Sequence, residues 1–129
     1  MEVPATPPIY TAVQSLDEVG ALIELPMPPP EHFQDNALYV YRSIFHRKAL
    51  VNGYSGFVPE SYKQSFRRVM RGNLSQGLER LSEDGVRFVL AHEARLGPRI
   101  RRQLRVASEE GLIELVRAEQ KDRLYRIRR

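Results

Sequence analysis

The residues able to do chemistry in this 129-residue chain are three histidines, His32, His46 and His92, and one glycine-punctuated stretch, Asn52-Gly53-Tyr54-Ser55-Gly56-Phe57. The histidines are too scattered for a local metal motif, so only the fold can bring them together. There is no cysteine, which removes disulfides, thiolate nucleophiles and Cys-based zinc sites. Neither a GxxxxGK[ST] loop nor a GxGxxG fingerprint is present. Ser55, His92 and Glu93 can be written as a Ser-His-Glu set, yet Ser55 lacks the GxSxG context that exposes a nucleophile. No catalytic residue, metal or cofactor is therefore assigned. The remaining chemistry is recognition. Tyr54 and Phe57 offer rings for stacking, Asn52 and Ser55 offer hydrogen bonds, and His46 and His92 lie beside strand ends. These six residues are the candidate ligand-binding set. Two readings of the turn stay open. It braces the fold, or it walls a shallow polar cleft with His92.

Such a turn needs a strand before it and a helix after it. The apolar run at 49–51 supplies the strand, and Gly53 and Gly56 permit a reversal that β-branched residues oppose. Past Pro59, Tyr62, Phe66, Val69 and Met70 share one face of a helix beginning near Glu60. Tyr39, Tyr41, Tyr54, Phe57 and Tyr62 crowd this region, with Tyr41 and Tyr62 at buried-face positions. Upstream, seven of the nine prolines fall within the first thirty residues. Residues 1–8 read as an extended proline-rich lead-in, and residues 9–129 as a single α/β domain. A short helix at 9–16 precedes a strand at 21–25 that is buried on both faces apart from Glu24. The proline run at 26–30 then leaves the sheet as a connector. Asp35 or Asn36 can cap a helix bearing Leu38, Tyr41, Ile44 and Phe45.

Downstream, Asn73 with Gln76 resembles a capping box, Leu74, Leu78 and Leu81 form a buried stripe, and Gly85 closes that helix. Residues 86–91 read as a central strand, with His92 and Glu93 just past its C-terminal end, the edge where open parallel sheets bind ligands. Gly97-Pro98 opens a last helix that Gly111 closes. Strands at 112–116 and 124–127 then flank a Gln120-Lys121-Asp122 turn. The expected fold is an α/β sandwich of about five strands, mostly parallel with a C-terminal antiparallel hairpin and helices packed on the sheet. Right-handed crossovers would link its first three strands.

Composition fits one globular domain: 42% hydrophobic, 28% charged, and no apolar run approaching the roughly 20 residues that span a bilayer. The first residues lack the basic and apolar regions of a signal peptide. The net charge of +4 is uneven, since residues 95–129 hold eleven Arg or Lys against five Asp or Glu. That quarter can meet nucleic acid, or it can be a solvated helix face and an edge hairpin guarded by charge. The structural reading is the stronger, because the arginines alternate with Leu, Ile and Val at structural spacing.

Ser43-Ile44-Phe45-His46, followed by Leu50-Val51-Asn52-Gly53-Tyr54-Ser55-Gly56-Phe57, resembles the C-terminal soluble region of large bacterial multi-spanning membrane proteins. These are similar to the dolichyl- and polyprenyl-phosphate-sugar glycosyltransferases of the GT-C class. Ala21-Leu22-Ile23-Glu24-Leu25-Pro26 upstream and Gly85-Val86-Arg87-Phe88-Val89-Leu90-Ala91-His92 downstream stand at the expected order and spacing. The resemblance spans residues 9–128. Arg47-Lys48-Ala49 departs from it where an aromatic and a proline are expected. In such enzymes the catalytic carboxylate lies near the first transmembrane helices, to which nothing here corresponds. The resemblance therefore implies a non-catalytic extracytoplasmic accessory domain. Its partners would be the transmembrane part of a parent protein and a saccharide or polyprenyl-phosphate sugar. Outside such a parent, a cytoplasmic place is expected. A small basic nucleic-acid-binding protein using residues 95–129 is the alternative.

Overall fold

The computed structural model describes residues 7–18, 20–36, 39 and 60–128. The chain starts with helix α1 (Ile9–Gln14), whose N-cap position is Pro8, a residue with no backbone N–H to leave unsatisfied. Strand β1 (Ala21–Leu25) follows, and then the proline connector leads to 3-10 turns over Pro30–Asn36. That connector is tied down through its carbonyls. The hydroxyl of Tyr62 donates to Pro28 O at 2.7 Å, and that of Tyr39 donates to Pro26 O at 3.1 Å.

Helix α2 (Glu60–Phe66) starts where its apolar spacing predicts and widens into a π-turn over Arg67–Arg71. Helix α3 (Leu74–Glu83) is opened by Asn73, whose side-chain oxygen accepts from Gln76 N at 3.0 Å. It is closed by Gly85, whose φ of +95° is costly for any residue with a Cβ. Gly77 meets a different demand. A Cβ there would lie 2.6 Å from Arg68 O, so α3 packs directly on the backbone of the π-turn. Strand β2 (Val86–His92) runs into a short 3-10 turn, Glu93–Arg95, ahead of helix α4 (Pro98–Glu109). From α4, Arg99 reaches back to Met70 O at 3.0 Å and Gly72 O at 2.8 Å, capping the carbonyl end of the π-turn. Strands β3 (Ile113–Glu119) and β4 (Asp122–Ile127) complete the chain.

Among the described residues the sheet has four strands in the order β1-β2-β4-β3. Only β1 and β2 are parallel; β2–β4 and β4–β3 are antiparallel. The expectation of about five mostly parallel strands is thus corrected. The tight turn at Gln120 and Lys121, where Gln120 takes a φ of +55°, is the expected one; what differs is that the later strand, β4, pairs antiparallel with β2. That turn folds β4 back inside β3, so the hairpin forms half of the sheet instead of fringing it. The hairpin strands are also longer than their apolar residues suggested, with a register shift between Leu115 and Arg117. The strand expected at 49–51, and the helix expected through Tyr41, Ile44 and Phe45, lie outside the described residues.

Both faces of the sheet are covered. Ile23, Leu25, Val89, Ala91, Tyr125 and Ile127 meet the buried faces of α2, α3 and α4. Leu22, Phe88, Leu90 and Leu124 meet Ile9, Tyr10 and Val13 of α1. Two-residue alternation along a strand therefore assigns Glu24 to the α1 side, where it is 0% exposed. Its expected escape from burial is corrected. With α1 lying over that face, a side chain between Leu22 and the strand end has no route to water.

Candidate functional site

The α1-covered face of the sheet is apolar in its middle and polar at one end. Alternation places Leu22 and Glu24 of β1, Leu90 and His92 of β2, and Leu124 and Asp122 of β4 on this face, and register pairs His92 with Asp122. Three strands distant in sequence thus deliver Glu24, His92 and Asp122 to one spot. His92 Nδ1 lies 2.8 Å from Asp122 Oδ1, and His92 Nε2 lies 2.9 Å from Glu24 Oε1. From α1, the Tyr10 hydroxyl donates to Glu24 Oε1 and sits 3.3 Å from His92 Nε2. The Tyr39 ring stacks on the imidazole, with centroids 5.5 Å apart and planes tilted by 13°. Arg95 holds its guanidinium 5.4 Å from the Tyr39 ring centre.

Hydrogen-bond arithmetic limits what this cluster can do. A neutral imidazole carries one N–H and donates to one carboxylate only. Both His92 contacts are made together when the ring carries its second proton, or when Glu24 holds it. Either way the Nε2 position, which an acid–base histidine would present to a substrate, is spent on Glu24 and Tyr10. His92 is 5% exposed. The arrangement is a polar clasp joining α1 to the ends of three strands, and its groups do not form a metal-holding set; among the described residues none does. Burial shapes its surroundings too. It pushes the Tyr39 hydroxyl up to about 12, Arg95 opposing and Glu24 reinforcing the shift. Tyr62, whose hydroxyl receives a hydrogen bond from Asn36 Nδ2 at 2.9 Å, is likewise pushed up to about 12 by burial.

Of the six residues singled out in the sequence, His92 is placed in this clasp, while His46, Asn52, Tyr54, Ser55 and Phe57 lie outside the described residues. Glu93, paired with His92 in the sequence argument, turns away to Arg123 at 3.8 Å. Sequence reasoning missed Tyr10, Glu24 and Asp122. Glu24 did leave a signal: a carboxylate inside an apolar strand buried on both faces must find a partner. Asp122, read as a turn residue, left none.

Part of the basic C-terminal quarter is committed to the fold. Arg99 caps the π-turn, Arg117 Nε donates to Glu119 at 2.7 Å, and Arg123 faces Glu93. Arg126 binds both Glu18 and Glu114, and these hydrogen bonds raise its already high pKa.

No protein-family model matches the chain, and no curated protein does. No helix among the described residues is long and apolar enough to cross a membrane. Among solved structures, the fold is similar to the C-terminal globular domain of oligosaccharyltransferase from Archaeoglobus fulgidus. The TM-score is 0.55 with 9% identity, over 93% of this chain and 94% of that one. At that identity the likeness is one of fold, and it extends over nearly the whole of both chains.

Proposed function

We propose that this chain is a non-catalytic accessory domain of a membrane glycosyltransferase-like protein and lies on the extracytoplasmic side of the membrane. The observation that carries this reading is the fold likeness, which takes in almost all of a unit that is itself the C-terminal domain of an oligosaccharyltransferase. The sequence resemblance of residues 21–26 and 85–92 points the same way. The sealed clasp at His92 supports the non-catalytic part, because its titratable groups are turned towards one another. In this reading the ligand is a saccharide or polyprenyl-phosphate sugar, and the turn carrying Asn52, Tyr54, Ser55 and Phe57, with His46 beside it, makes the contact near His92. Fold likeness at this identity is an analogy for function and needs its own test.

Sequencing the messenger across Met1 supplies that test. Several in-frame hydrophobic segments of about 20 residues support the assignment. A separate ribosome-binding site next to a gene for a cytoplasmic partner overturns it. For the ligand, Tyr54→Ala should weaken binding of a cognate glycan with little change in Tm. A collapsed Tm without ligand loss makes the turn an internal brace.

A further inference from the structure

A second polar region lies on the other side of the sheet. The exposed face of α4 carries Arg101, Arg102 and Arg105, and together with Glu93, Glu109 and Tyr125 they line a groove of about 580 Å3. That volume is in the range of small-molecule sites, but the lining is charged where most such sites are apolar. A hydrophilic ligand is what it can hold.

Two observations give that ligand a sign and a shape. While Arg99, Arg117, Arg123 and Arg126 are all engaged, the guanidinium groups of Arg101 and Arg102 make no ion pair or hydrogen bond among the described residues, and Arg105 reaches Glu109 only at 4.0 Å. Arg101 and Arg105 are one turn apart, so their like charges repel along the helix. An anion between them relieves that repulsion. Independently, Tyr125 is only 7% exposed, yet its hydroxyl makes no hydrogen bond among the described residues. Burial raises its pKa, with Glu93 adding to the shift, so it stays a protonated donor. The Tyr125 hydroxyl is not a buried atom: it opens to solvent in the groove wall with no protein partner among the described residues, so a ligand hydroxyl or ether oxygen can reach it as a donor. Glu93, steadied by Arg123, supplies an acceptor beside it. Glu109, which would repel an anion, stands further along α4, so the anion belongs at Arg101.

We infer that this groove binds a phosphorylated saccharide. The phosphate sits on the Arg101 and Arg105 guanidinium groups, and sugar hydroxyls meet Tyr125 and Glu93. Planar guanidinium forks suit phosphate oxygens in a way that lysines do not. The inference rests on α4 and β4 and stands whether or not the chain has a membrane-bound parent.

The test is an NMR titration of the full 15N-labelled chain with glucose 1-phosphate, and separately with glucose and with inorganic phosphate. Saturable shifts centred on Arg101, Arg102 and Tyr125 are expected with glucose 1-phosphate. Inorganic phosphate should bind roughly tenfold more weakly, and glucose should move nothing. Arg101→Gln should raise the Kd roughly tenfold and Tyr125→Phe several-fold, while Arg117→Gln on the outer strand leaves it unchanged. No saturable shift up to about 10 mM overturns the inference, as does equal weakening by Arg117→Gln. Vesicles of phosphatidylglycerol and phosphatidylcholine distinguish the source of the phosphate. Binding to them that Arg101→Gln abolishes, with glucose 1-phosphate inert, replaces the saccharide site with a lipid-headgroup surface.

Discussion

The same face of one sheet carries two three-membered charge clusters, one at each end, and they are built to opposite specifications. At the β2 C-terminal end, one histidine stands between two carboxylates, Glu24 and Asp122, beneath α1 and Tyr39. At the other end, one arginine stands between two carboxylates, Glu18 and Glu114, in register with Phe88. The side chains of His92 and Glu24 are 6% and 0% exposed, whereas those of Arg126, Glu18 and Glu114 are 28%, 38% and 43% exposed. Water screens the second cluster and scarcely reaches the first. Similar charge patterns therefore carry different weight, because removing a partner strands a charge only where no solvent can replace it.

His92→Ala should break the comparison most sharply. It removes the ring that bridges buried Glu24 to Asp122, and a loss of about 3–5 kcal/mol in urea unfolding is expected. Replacing His92 and Glu24 together by leucine should recover much of that loss, since only Asp122, which water partly reaches, then loses its histidine. If the double variant is as unstable as the single one, the clasp acts through its shape and not its charge.

Alkaline titration comes next. Tyr39, stacked on His92, is raised to about 12, above an unfolded value near 10, so the folded state holds its proton more tightly. Its contribution is fully present below pH 10 and is lost as pH rises through about 12, at roughly 1.4 kcal/mol per unit. Tyr62 adds a parallel slope. Tyr39→Phe should therefore make the decline in stability between those limits shallower, with Tyr62 and Tyr125 still contributing, and an unchanged slope would show that Tyr39 ionises as freely in the folded chain as in the unfolded one. The Arg126 cluster should contribute nothing across this window, since the guanidinium stays charged throughout it.

Tyr10→Phe removes only the hydroxyl that α1 extends to Glu24, and a cost of about 1.5–3 kcal/mol is expected for losing a hydrogen bond to a charged group. The smallest effect belongs to the outer cluster. Arg126→Ala should cost about 1 kcal/mol or less, and 1 M salt should erase most of it. A salt-insensitive loss of several kcal/mol would put both clusters in one class.

The parts legible in advance were those decided by neighbours in the chain. Asn73 and Gly85 fixed the limits of α3 through a cap and a left-handed residue, and Gly97-Pro98 fixed the start of α4. Apolar spacing identified α2 and the face of it that Tyr62 and Phe66 bury. The recognition set was legible only as residue types: of its six members His92 alone falls among the described residues, and there it faces carboxylates that no local pattern named.

Alternation of side chains along β1, which follows from pleating alone, placed Glu24 on the same face as Leu22, whereas His92 and Asp122 were read as lying just outside their strands and had no face assigned. Which strands adjoin was another matter. The pairing of β2 with β1 on one side and β4 on the other depends on contacts between segments more than sixty and about thirty residues apart in sequence. Those contacts are chosen by the joint burial of Leu22, Phe88, Leu90 and Leu124 beneath α1. Sequence determined the limits of α3, the start of α4 and the hairpin turn, because caps and φ preferences act over a few residues. Tertiary structure alone decided that a glutamate, a histidine and an aspartate should meet, because burial and register exist only once the sheet has formed.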